Sequence, residues 1–174
     1  MKRLSWKYIA GFIDGEGCLD VQITSGIYVR PRLRIALADN AKFILETLQI
    51  NHGGSLSSRP STNSNWQSST CWELCGYSVV CPLLRNIANS LEIKQQQARF
   101  LLWMENHLKG KQVNAEVRQT VRDELQAMKR DPHRLSDLAQ ERILTLLWCD
   151  SRNRFLPIWK CGAMKYSLHI LAKT

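Results

Sequence analysis

The sequence has no apolar run near the ~18 residues that a membrane span requires. Its opening stretch, MKRLSWKYIAGFIDGEG, is too broken by charge and glycine to read as a secretory leader. It also lacks the ligand spacings of a structural zinc: the six cysteines stand at 18, 71, 75, 81, 149 and 161 without a C-x-x-C pair. The four histidines, at 52, 107, 133 and 169, form neither H-x-H nor H-x-x-x-H, which excludes the usual histidine-metal nuclease motifs. Repeats and low-complexity tracts are absent. Acid is scarce, with 15 Asp+Glu against 24 Lys+Arg, so the net charge is +9 and the pI about 9.5. That balance suits a polyanionic partner, either nucleic acid or an anionic surface. The 174 residues suffice for one domain with a proper core. A soluble intracellular protein, organellar or microbial, is the expectation.

What is present is strong periodicity. Ser5 is placed to cap a helix over residues 6 to 14, with Trp6, Ile9, Ala10 and Ile13 on one face. Residues 18 to 24 and 27 to 37 alternate as two strands joined at Ser25-Gly26. Pro31 in the second suggests an edge position or a bulge. Asp39 or Asn40 is positioned to cap a second helix to about residue 51, ending at His52-Gly53-Gly54. Strands follow near 55 to 59 and 68 to 76, joined by the polar connection PSTNSNWQ, for which mobility is expected. Pro82 suits the first turn of a third helix to about Ser90, and a fourth spans about 93 to 108. Helices near 114 to 129 and 136 to 149 complete the pattern, and residues 150 to 174 have no clear period.

The chemistry lies in Ile9-Ala10-Gly11-Phe12-Ile13-Asp14-Gly15-Glu16-Gly17. A glycine inside a helix costs about 1 kcal/mol against alanine, so Gly11 wants a compensating contact. Ala10 and Gly11 offer a small-residue patch on which the same helix of a second subunit could pack around a two-fold axis. Asp14 and Glu16 crowd a helix C-terminus, where the macrodipole is already negative, and a cation would reverse that penalty. This stretch resembles the LAGLIDADG motif of homing endonucleases, with Glu as the last acid. The resemblance implies an α+β fold: an αββαββα core over about 6 to 108 with a saddle-shaped antiparallel sheet, plus a C-terminal helical extension over about 109 to 174. It also implies that Glu16 and the Gly15 carbonyl bind metal, with Asp14 in a more structural role. The expected metal is Mg²⁺, with Mn²⁺ as substitute and Ca²⁺ supporting DNA binding without efficient cleavage.

A second stretch, Leu91-Glu92-Ile93-Lys94-Gln95-Gln96-Gln97-Ala98, resembles the L-x-x-K-Q-x-Q-A segment of single-motif, intron-encoded members. There the matching lysine lies beside the cleavage centre, so Lys94 is a candidate for polarising water or offsetting phosphate charge. Relatives commonly carry a polar residue before the second helix and a basic one at its start. Here Leu37 and Ala41 stand in those places, which leaves Lys42 as the nearest basic candidate.

A two-stranded ribbon fits the major groove, where base edges are distinguishable. The polar face of the first ribbon holds Asp20, Gln22, Thr24, Tyr28, Arg30, Arg32 and Arg34, the arginines having no acid on their own strand. The second ribbon adds Ser55, Ser57, Arg59 and Glu73. One motif per chain implies a homodimer on a near-palindromic double-stranded DNA site, and the resemblance implies a double-strand break across the minor groove with short 3′ overhangs. Two other readings stay open: a maturase that binds group I intron RNA, and a DNA-binding dimer that has lost cleavage.

Overall fold

The computed structural model describes residues 4–60 and 67–153, the side chains of 150–153 excepted. Most of the polar connection between the second strand pair, and the stretch after residue 153, therefore lie outside the described residues. Among the described residues no helix is long and apolar enough to cross a membrane.

Helix α1 (Trp6–Glu16) begins where the Ser5 hydroxyl accepts the Tyr8 amide at 3.2 Å, one of the donors a helix start leaves free. It buries Ile9, Ala10, Ile13 and Asp14. Strands β1 (Gly17–Thr24) and β2 (Tyr28–Ala38) form a hairpin that turns through Ser25 and Gly26, both with positive φ. A 3₁₀ turn over Asp39–Ala41 leads into α2 (Lys42–His52). Neither Asp39 nor Asn40 caps that helix: the Asp39 carboxylate instead accepts the Thr70 hydroxyl at 2.7 Å, a contact the local pattern does not announce.

Strands β3 (Ser55–Arg59) and β4 (Ser69–Cys75) join the first hairpin in one antiparallel sheet of order β1-β2-β4-β3. Gly54 makes the entry to β3 possible. Its φ is 90°, and a Cβ there would lie 2.5 Å from the Glu73 carbonyl. The buried Trp72 indole donates to the Gly53 carbonyl at 2.8 Å, tying β4 to the end of α2.

Strand β2 is central, so Pro31 occupies neither an edge nor a bulge and pairs in register with Val21. The N–H and C=O of a strand residue point to the same side. The Pro31 carbonyl accepts Gly76 N–H on the β4 side, so the missing donor faces the place where β4 has ended at Cys75. No ladder bond is lost.

Helix α3 (Tyr77–Ile87) starts directly after Gly76, five residues before Pro82. Pro82 thus sits inside the helix rather than in its first turn. The carbonyl it cannot bond is that of Ser78, and both residues are exposed, so that carbonyl can turn to water. After a 3₁₀ turn over Ala88–Ser90 comes α4 (Gln95–Leu108), then α5 (Ala115–Arg130) and α6 (Ser136–Asn153).

One sheet face presents Leu19, Val21, Val29, Leu33, Ile35, Trp72 and Leu74, all buried beneath helices α1 to α3. Helix α5 packs against β1, the outer strand, and α6 packs on α4 and α5. The buried Glu124 fastens this extension, accepting from Arg134 at 2.7 Å and Arg142 at 3.0 Å.

Candidate active site and nucleic-acid interface

The end of α1 is built by its own sequence. Gly17 N–H closes the last turn on the Ile13 carbonyl, and a Cβ at Gly17 would lie 2.6 Å from that oxygen. Gly17 is buried, so glycine is required here by the chain's own helix end. Gly15 is different: it is exposed, with open space where a Cβ would be.

Asp14 turns inward. Its carboxylate accepts the backbone amides of Glu92 at 2.6 Å and Lys94 at 2.9 Å, satisfying the start of α4 from a residue 80 positions away. Its backbone carbonyl accepts the Lys94 ammonium. Lys94 is therefore held at the negative end of α1, a favourable place for a cation. Partial burial lowers its proton affinity, while Asp14, Cys18 and Glu16 work in the opposite direction. The net shift is downward.

Glu16 points outward and is exposed. None of the ion pairs among the described residues involves it. An unpaired carboxylate next to the backbone carbonyl of the exposed Gly15 is a hard oxygen donor set, which fits Mg²⁺ or Ca²⁺. Among the described residues no group of three or more His, Cys, Asp or Glu comes together.

The structure separates the two residues of the expected small-residue patch. Ala10 is fully buried in the chain's own core, on the same face as Ile9 and Ile13, and cannot meet a partner. Gly11 is exposed and has nothing within 4 Å of a built Cβ. The outward face of α1 is thus Gly11 and Gly15, flanked by the stacked rings of Tyr8 and Phe12.

The sheet face away from the core is one polar ladder. Register aligns Cys18 with Arg34, Arg34 with Glu73, and Glu73 with Ser55. The next rows are Asp20, Arg32 and Cys75, then Gln22 and Arg30, then Thr24 and Tyr28. Ser57 and Arg59 continue it on β3, opposite Cys71 and Ser69. All the expected ribbon residues share this face.

The arginines, however, are not free of acids. Asp20, across the hairpin, accepts Arg32 at 2.8 Å and Arg34 at 2.7 Å, and Glu73 stands 3.9 Å from Arg32. Burial would raise the Asp20 pKa, but the hydrogen bonds and charges of Arg32 and Arg34 outweigh it and hold the carboxyl below its ordinary value. Arg30 is exposed and ion-pairs with no carboxylate among the described residues. Two atoms of the ladder, Arg34 Nε and Thr24 Oγ1, are buried with no hydrogen-bond partner among the described residues.

Lys42 is not drawn into this centre. It pairs along its own helix with Glu46 at 3.2 Å. In its stead the fold delivers a residue that sequence reasoning overlooked: Lys129 of α5, whose ammonium lies 3.2 Å from Cys18 Sγ. In sequence it was one charge among many on an amphipathic helix, and only the packing of α5 on β1 gives it an address.

Residues 9–107 match the model of the family described as LAGLIDADG endonuclease. The fold is similar to that of the homing endonuclease I-CvuI in complex with the I-CreI target in the presence of Mg, with the DNA not cleaved. The TM-score is 0.58 and the identity 21%, over 81% of this chain and 93% of that one. I-CvuI with its own target in the presence of Ca gives 0.57 and 22%, with the same coverage. At these identities the likeness establishes the fold. A search among curated proteins finds no significant match.

Proposed function

The chain belongs to the LAGLIDADG endonuclease family, and from that premise we propose that it is a homing endonuclease acting as a homodimer on a long, near-palindromic DNA site. The observation that carries the reading is Glu16: an exposed, unpaired acid at the end of α1, beside Gly15 and the tethered Lys94. In this reading Glu16 and the Gly15 carbonyl of each subunit would hold Mg²⁺. Bound there, the metal supplies activation of water and neutralisation of charge on the scissile phosphate.

The chain's own groups do the rest. Lys94, fixed by the Asp14 carbonyl, offers an ammonium to the phosphate or to the attacking water. Arg30 is available for a base edge, since no acid competes for it. Arg32 and Arg34 present donors already oriented by Asp20. Gln22, Thr24, Tyr28, Ser55, Ser57, Arg59 and Glu73 complete the ladder that faces the groove.

A DNA-binding dimer without cleavage is the second reading, favoured by Leu37 and Ala41 and by the diversion of Lys42 to Glu46. Glu16→Gln decides between them, because it keeps shape and removes charge. On a site selected from a randomised library, the wild type is expected to cut in Mg²⁺. The variant should bind as tightly, since affinity rests on the basic face and counterion release. Its cutting should fall by several orders of magnitude. Equal cutting by the variant would remove Glu16 from the mechanism, and no cutting by the wild type would leave the second reading.

A further inference from the structure

The family match stops at residue 107, yet α5 comes back to the chemical centre. It lies along β1, and its last turn brings Lys129 to 3.2 Å from Cys18 Sγ, two residues beyond Glu16. Cys18 in turn lies 3.8 Å from Asp20 on the polar ladder. Lys94 is bonded to the Asp14 carbonyl and Lys129 to Cys18, so the two ammonium groups flank the end of α1 from the start of α4 and from α5.

Both lysines are only partly exposed, and neither ion-pairs with a carboxylate among the described residues. Burial and the like charge of Lys129 lower the proton affinity of Lys94 even though Asp14 and Glu16 act on it as opposite charges, so a repulsion between partly desolvated cations remains. An arriving anion relieves it. One to two turns back on α5, Gln126 and Arg122 line an open cleft of about 230 Å³ together with Asp20 and Arg32. The basic wall thus continues from the centre along the sheet edge.

We propose that Lys129 contacts a DNA phosphate at the cutting centre, as a second lysine facing Lys94 that the C-terminal extension supplies. The ligand is a phosphodiester oxygen of the strand that passes Glu16. This rests on the nuclease reading for its position, though the contact itself can be measured without cleavage.

Lys129→Met keeps the stem and removes the charge, and Lys129→Arg keeps the charge. Affinity for a random-sequence duplex is measured in Ca²⁺ across a salt series, alongside thermal melting and single-turnover cutting of the selected site in Mg²⁺. The methionine protein should lose close to one unit of log K against log salt per chain. Its cutting at saturating protein should drop at least about tenfold. Its melting midpoint should hold, and arginine should restore slope and rate. An unchanged slope overturns the proposal, whether cutting is also unchanged or a fallen melting midpoint shows that Lys129 only serves the fold. A wild type that never cuts, with the slope still falling in the methionine protein, removes the nuclease reading and leaves the phosphate contact standing.

Discussion

Substitution of Gly11 separates the stability of one chain from its association with another, because the two should move in opposite directions. A Cβ at Gly11 meets no atom within 4 Å inside the chain. Within one subunit, Gly11→Ala therefore only removes the entropy penalty of a mid-helix glycine, a gain of about 1 kcal/mol, and valine gains roughly half of that. For a fold of this size a gain of ~1 kcal/mol raises the melting midpoint by about 2 to 4 °C. In the proposed dimer the same methyl groups face the partner's α1, where overpacking costs about 1 to 3 kcal/mol. The dissociation constant should then rise by about 5-fold to 150-fold. Sedimentation velocity over a concentration series reads the second effect, and melting at dilutions where the wild type is monomeric reads the first. A wild type that stays monomeric at micromolar concentration, on and off DNA, refutes the reasoning, as does a Gly11→Val protein that dimerises like the wild type.

Two further substitutions test the ladder and the helix end. Asp20→Asn should release Arg32 and Arg34, steepen the salt dependence of DNA binding and loosen sequence preference, which a salt series on matched and mismatched sites measures. The same carboxyl is held below its ordinary value of 3.8, so its contribution to stability is present above that pH and lost as pH falls through the lower folded value; acid unfolding of Asp20→Asn should be shallower there. Asp14→Ala strips two amides at the start of α4 of their acceptor, and denaturant melts should show a loss of about 2 to 4 kcal/mol.

The elements that sequence made legible are those whose evidence is local. Strand β3 was read at its observed bounds, and α1, β1 and β2 within two residues of theirs, because alternation and helical period are properties of neighbouring residues. The Ser5 cap was visible for the same reason. The start of α3 was not, since Tyr77-Ser78-Val79-Val80 has no helical signature of its own and Pro82 drew attention to the wrong turn. The site divides along the same line. Glu16, Gly15 and Lys94 became candidates through motifs that resemble a family's, and the structure puts them at one helix end. The pairing of Asp20 with Arg32 and Arg34 needed the register, and the approach of Lys129 to Cys18 spans 111 positions. Ala10 was misassigned because a helix carries residues 10 and 11 about 100° apart, and only the core shows which of the two faces inward.

That division of α1 between faces has a mechanical consequence. Ile9, Ala10, Ile13 and Asp14 lock one side of the helix to the sheet and to the start of α4, while Gly11 and Gly15 stay outside. Gly11 and Glu16 are five residues apart, about 7.5 Å along a rigid helix. In the proposed dimer, the spacing that a second subunit sets at Gly11 would therefore be transmitted to Glu16 almost undiminished. Lys94 moves with it, because its ammonium and its amide are both bonded to Asp14. The ladder is carried on the sheet, so a subunit displaced at Gly11 would keep its proposed phosphate and base donors. Widening the contact at Gly11 should thus abolish concerted cutting before it abolishes DNA binding by each half. A protein in which both losses run in parallel would mean that dimerisation acts through the ladder rather than through the end of α1.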